Sequence, residues 1–153
     1  MKSLRLTFFA LFLFSSLSAF SQHVYGEKID NCYLDQFIFE SDKIIAKLDN
    51  EKITEVVTTG FDAKVKKGIE GILGFQVLVD NRGNSCLMSV RNDTNQKTKK
   101  LNLASSINDN LKWPRMAQKV SVIVVMEFEK GGDITVKRMG TVDNKNLIEL
   151  SGE

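Results

Sequence analysis

Proline is almost missing from this chain: Pro114 is the one proline in 153 residues. Such a sequence holds no polyproline spacer and cannot keep itself extended across a long gap. Histidine is equally scarce, and His23, the single one, leaves no general base for a serine or cysteine nucleophile elsewhere in the chain. Two cysteines, Cys32 and Cys86, and one histidine near the start do not make a metal site. Glu127 and Glu129 alternate along one stretch, a pattern that belongs to a solvated strand face and discourages edge aggregation. These absences speak against an enzyme, and no cofactor, metal or small-molecule substrate is expected. No internal repeat or low-complexity linker is present either.

What is there begins with a leader. Lys2 and Arg5 precede an apolar run over residues 6–17, and Ala19-Phe20-Ser21 has the small-residue form of a cleavage site. The run is shorter than the roughly 20 apolar residues that span a bilayer. Residues 1–21 are therefore expected to be a signal peptide cleaved near Ser21, with the remainder periplasmic or secreted. Of the 21 basic and 19 acidic residues, the leader holds Lys2 and Arg5 and no acid, so the rest carries 19 of each. A balanced charge supplies no field for nucleic acid. In an oxidising compartment Cys32 and Cys86 either form a bridge or serve as two small buried apolar side chains; their spacing alone does not decide between these.

Residues 71–90 read as a β-hairpin. Leu73, Phe75, Val77 and Val79 share one face of the first strand, and Cys86, Met88 and Val90 are expected to share a face of the second. Asp80-Asn81-Arg82-Gly83-Asn84 supplies the turn, with Gly83 suited to positive φ. Leu103, Ala104, Ile107 and Leu111 give a narrow helical stripe that ends at Trp113-Pro114, where Trp113 reads as a core plug. Val120, Val122, Val124, Met126 and Phe128 line one side of a third strand. Ser121, Ile123, Val125, Glu127 and Glu129 line the other, and Gly131-Gly132 lets residues 134–139 return antiparallel. Upstream, Leu34, Phe37, Ile38, Ile44, Ile45 and Leu48 fit a helical period broken at Ser41, and residues 53–59 suit either helix or strand. Asp62 is placed as the N-cap of a short helix that stops at Gly68. The expected fold is α+β, an antiparallel three- to four-stranded sheet on one main helix in a ββαβ core. It divides into an N-terminal helical extension over 22–60, a domain over 61–140 and a tail over 141–153.

The run FDAKVKKGIEGILGFQVLVDNRGNSC, then a helix, then Trp-Pro, then VSVIVVMEFEKGGDI, resembles the TonB C-terminal domain family over residues 61–139, about half of the chain. Gly68-Ile69-Glu70-Gly71 and the stretch from Phe75 to Gly83 stand where that family leads a short helix into its first strand. Trp113 and Pro114 stand at its tryptophan-proline signature. The chain departs from the family in having Phe61-Asp62 for an aromatic-proline pair and a direct Trp-Pro. It also lacks the proline-rich spacer of an energy transducer. The resemblance implies a protein-binding module of the cell envelope that pairs by strand addition with a peptide of an outer-membrane transporter, carried here by Val120, Ser121, Val122, Ile123, Val124, Val125, Met126, Glu127 and Phe128. If residues 134–139 fold back, that edge is filled, and the usable edge becomes residues 85–91 or the returning strand itself. A homodimer by strand exchange is a further expectation. The competing reading is an accessory or structural envelope protein, or an inhibitor, docking through residues 30–60.

Overall fold

Two long strands follow from alternation. In the computed structural model, which describes residues 22–29 and 31–151, β3 spans Gly71–Val79 and β4 spans Ser85–Thr94. For these and the elements below, β1 is Glu27–Lys28, β2 Ile38–Phe39, α1 Asn50–Thr59 and α2 Ala63–Gly68. They are followed by α3 at Leu103–Asn110, β5 at Val120–Phe128, β6 at Ile134–Gly140 and β7 at Ile148–Glu149. The leader over residues 1–21 lies outside the described residues. Among the described residues no helix is long and apolar enough to cross a membrane.

The β3–β4 turn is held by Asp80, whose carboxylate accepts the N–H groups of Arg82 and Asn84, both at 2.8 Å. Burial pushes this carboxyl up, but the donors from Asn84 and Arg82 outweigh it and hold the group below its ordinary range. Gly83 has φ +86°, and a Cβ there would collide with the Trp113 carbonyl oxygen. Only glycine meets both demands. The Trp113 N–H donates to Gly83 O (2.9 Å), and its indole N–H donates to Ser85 Oγ (2.8 Å), so the Trp-Pro segment is clamped onto the turn.

The second hairpin strand departs from strict alternation. Gln76 pairs with Ser89 but Val77 pairs with Leu87, which leaves Met88 as an extra residue in a β-bulge. Leu87 and Val90 therefore join Phe75 and Val77 in the core, while Cys86 lies opposite Leu78 on the other face. The expected common face of Cys86, Met88 and Val90 is thus corrected, because one inserted residue exchanges the two sides of a strand.

Among the described residues three helices, α1, α2 and α3, cover one face of the sheet, where one main helix, a short one ending at Gly68 and a helical extension over 22–60 were expected. α3 lies against β4 and α1, and α1 reaches β6. Ile53, Val56 and Val57 of α1, at helical spacing, pack with Leu103, Ile107, Leu111, Trp113 and the inward residues of β3 and β5. Each such fully buried side chain contributes roughly 1.5–3 kcal/mol. Asp62 caps α2, accepting the Val65 N–H at 2.8 Å. Residues 53–59, open between two states in the sequence, are helical within α1.

Residues 34–48 do not form the expected helix. Ile38 and Phe39 run parallel to Val120 and Ser121 as β2, with the Ile38 N–H on Lys119 O (3.1 Å). The start of β5 needs a partner there, and pairing to a sheet overrides a short, interrupted helical period. Among the described residues the sheet has seven strands, against the expected three to four, in the order β1-β4-β3-β5-β6-β7, with β2 beside β5. All pairings are antiparallel except β2–β5.

The opposite face of the sheet is crossed by the first described residues. Gln76, fully buried, accepts the Val24 N–H and the Ser89 hydroxyl (both 2.8 Å). It donates to Gln22 O and Ser121 Oγ (both 2.9 Å). A disulfide between Cys32 and Cys86, Cα–Cα 5.7 Å, fastens the same segment to β4. Burial pushes the Tyr25 hydroxyl up to about 12, with Arg91 pulling weakly the other way.

Candidate strand-pairing edge

Strand addition needs a row of backbone donors and acceptors that no neighbour has taken. The residues expected to provide it, Val120 to Phe128, do not. β5 pairs with β3 along its whole length and, on its other side, with β2 at Val120–Ser121 and with β6 from Ile123 to Phe128. It is a central strand. Its composition suits that place, because a strand covered on both faces is apolar on both: Ile123 is as deeply buried as Val122 and Val124.

The β4 side of the sheet is covered as far as Val90, and beyond it no strand lies beside Arg91–Thr94 among the described residues. β1 pairs with Ser89 and Val90, the Leu87 N–H donates to Asn108 Oδ1 (2.7 Å), and the disulfide sits at Cys86. Beyond Val90, Asn92 turns inward on its own loop, accepting the Thr94 N–H (3.0 Å) and donating to Gln96 O (2.8 Å).

β6 is different. Its inner side is bonded to β5, and on its outer side β7 covers only Met139 and Gly140, with the Leu150 N–H reaching Arg138 O at 2.9 Å. From Ile134 to Lys137 no strand lies beside it among the described residues. Ile134 and Val136 turn toward the helices, and Thr135 and Lys137 point to the other face and are exposed. A groove of about 640 Å³ runs along this edge between α1 and β6, lined by Asn50, Glu51, Thr54, Glu55, Ile134 and Val136 among others. A second hollow of about 310 Å³ continues past Ile134 toward the Gly131-Gly132 turn and the lysines of α2.

The loop over residues 141–147 sets where β7 lands. Asp143 organises it, accepting the N–H groups of Asn146 (2.8 Å) and Lys145 (2.9 Å). Those backbone donors hold its carboxyl down at about 2. The same end of β6 is anchored by a buried ion pair. Arg138 Nη2 donates to Glu40 Oε2 (2.5 Å) and Nη1 to Ala46 O (3.0 Å). Glu40 Oε1 accepts from Ile45 N (2.7 Å) and Ala46 N (2.9 Å), and the guanidinium lies 5.2 Å from the Trp113 ring centre.

Of the other residues singled out in the sequence, Phe75 and Trp113 lie in the core. Gly83, Trp113 and Pro114 meet at the hairpin turn, and Gly71, at φ +110°, passes close to Asp93 O. None of them touches the β6 edge. Lys137, Asn50 and Glu149, which border it, carried no motif. Glu149 sat in a tail with no period to read, and a two-residue strand has none. Among the described residues no three metal-ligating side chains come together.

No protein-family model, curated protein or solved structure matches the chain. Among the described residues the geometry defines an α+β protein with a seven-stranded sheet, three helices on one face and a stretch of β6 edge with no strand beside it.

Proposed function

We propose that this chain is an exported, TonB-C-terminal-like protein-binding module of the cell envelope that takes up an extended peptide by strand addition. A segment of an outer-membrane transporter is the partner the family resemblance implies. The observation that carries this reading is the edge of β6 from Ile134 to Lys137, which has no strand on its outer side among the described residues and a groove beside it. The chain order of α2, hairpin, α3, Trp-Pro and β5 also follows the order of the resembling motifs. A strand along all of β6 would make about six backbone hydrogen bonds at roughly 1 kcal/mol net each. Association costs about 4 kcal/mol or more, so pairing alone is weak and the groove's side chains must supply selectivity. The role is binding, not catalysis.

A photo-cross-linking residue at Thr135 in intact cells tests this. Adducts with transporters support the reading. A protein that yields none, while amide shifts along β6 stay unchanged on titration with envelope peptides, is not a strand-pairing module at this edge. One observation favours the accessory or inhibitor reading. Tyr33, in the 30–60 segment, is 81% exposed and stands 5.4 Å from the Lys119 ammonium, a large aromatic available to a partner. Adducts at Tyr33 with proteins other than transporters would select it.

A further inference from the structure

We propose that the β6 edge selects an extended segment running antiparallel to β6 in which an acidic residue is flanked by apolar ones, and that the chain's own β7 is the competitor such a segment displaces. This rests on the strand-addition reading and adds the chemistry, direction and regulation of the same site.

β7 supplies the template. Its residues Ile148 and Glu149, followed by Leu150, pair antiparallel with the end of β6. Glu149 lies opposite Met139, on the side of the sheet where Lys137 points, and its carboxylate sits 3.3 Å from Lys137 Nζ. Ile148 and Leu150 take the other side by strand alternation. Leu150 is buried beside Gly140, where a Cβ would press on its side chain. Acid toward Lys137 and apolar groups toward the helices is therefore the pattern this edge already accepts. On the helix side Glu51 and Glu55 border the groove and disfavour a second acid there.

The occupant is weakly held. β7 is two residues long, and Ile148 remains 51% exposed. The next outward carbonyl of β6, Val136 O, accepts the side-chain amide of Asn50 at 3.3 Å. Leu150 N occupies Arg138 O, so the residue two further along an added strand would bring its N–H to Val136 O. Asn50 thus holds the place of the next backbone donor. A longer segment in the register of β7 removes both tenants at once.

The probe is a synthetic peptide with the sequence of residues 144–153, NKNLIELSGE, titrated into the full chain and followed by amide shifts along residues 134–140. Leu150→Asp unseats β7 and Asn50→Ala removes the placeholder, so each is expected to bind the peptide more tightly than the unaltered chain. If β7 fills the edge nine-tenths of the time, the gain for Leu150→Asp is about tenfold. In the Leu150→Asp background, where β7 no longer competes, Lys137→Glu should weaken binding by about threefold, the size of an exposed ion pair, and a peptide carrying Glu149→Lys should restore it. Equal affinity for the unaltered chain and Leu150→Asp overturns the competitor role. Insensitivity to the charge exchange overturns the acidic preference. Shifts along β6 with other envelope peptides but not with this one overturn the inference and leave strand addition standing. No β6 shifts with any peptide in any variant remove both.

Discussion

Replacing Glu40 by glutamine tests how the end of β2 is locked to the end of β6. The side chains of Glu40 and Arg138 are 0% and 3% exposed, so the charge left on Arg138 has no water to turn to. Its Nε already lacks a partner, and Nη1 keeps only the Ala46 carbonyl. The amide of the new glutamine can direct its NH₂ at the guanidinium or at the Ile45 and Ala46 N–H groups, and either choice sets donor against donor. Breaking one partner of a buried pair costs about 3–5 kcal/mol. With a urea slope of about 1.5 kcal/mol per molar, the unfolding midpoint should fall by roughly 2–3 M. Arg138→Met should cost a similar amount, because it leaves the carboxylate with two backbone donors and no counter-charge. The double variant Glu40→Gln/Arg138→Met should lose clearly less than the sum of the two singles, because no unpaired charge is left buried. Urea unfolding followed by circular dichroism on all four proteins gives the cycle. Single losses below about 1 kcal/mol, or a double variant that loses the sum of the two singles, would show that the pair is not coupled and that β2 is held by its backbone bonds alone.

Four further outcomes are expected. The Tyr25 hydroxyl, raised to about 12 by burial, binds its proton more tightly folded than unfolded; its stabilising effect is complete below pH 10 and is lost between pH 10 and 12. Two pH units at about 1.4 kcal/mol each set a ceiling of roughly 3 kcal/mol, and Tyr25→Phe should flatten the alkaline limb of a stability–pH curve. Reduction of the Cys32–Cys86 bridge, which spans a sequence separation of 54, should cost about 4 kcal/mol on the chain-entropy model, read as the difference in urea midpoint with and without reductant. Gln76→Ala leaves Val24 N–H, Gln22 O and two serine hydroxyls without their common partner; a loss of about 3 kcal/mol or more and early proteolysis within residues 22–28 are the expected readouts. The Asp143 carboxyl, depressed to about 2 by backbone donors, keeps its loop ordered above the ordinary carboxylate range and releases it as pH falls from about 4 to 2, which carbon-detected titration of that carboxyl would follow.

The hairpin, its turn and the short capped helix could all be read directly, because each is fixed by neighbours in the chain. Alternation set β3 and the inward face of β5, Gly83 answered a torsional demand, and Asp62 satisfied orphan N–H groups within three residues. Tertiary structure decided the rest. The bulge at Met88 moved Cys86 to the face crossed by the N-terminal segment, and that displacement is what lets it meet Cys32. The apolar spacing of residues 34–48 reads as a helix until β5 offers an unpaired start, and a local period cannot register a strand more than 80 residues away. The open edge was legible only as one of two alternatives, residues 85–91 or the returning strand. Whether a strand is central or peripheral depends on which segments arrive beside it: β6 and β7 return through short local turns, whereas β2 reaches β5 across more than 80 residues and is followed by a buried charge pair whose two members are 98 residues apart.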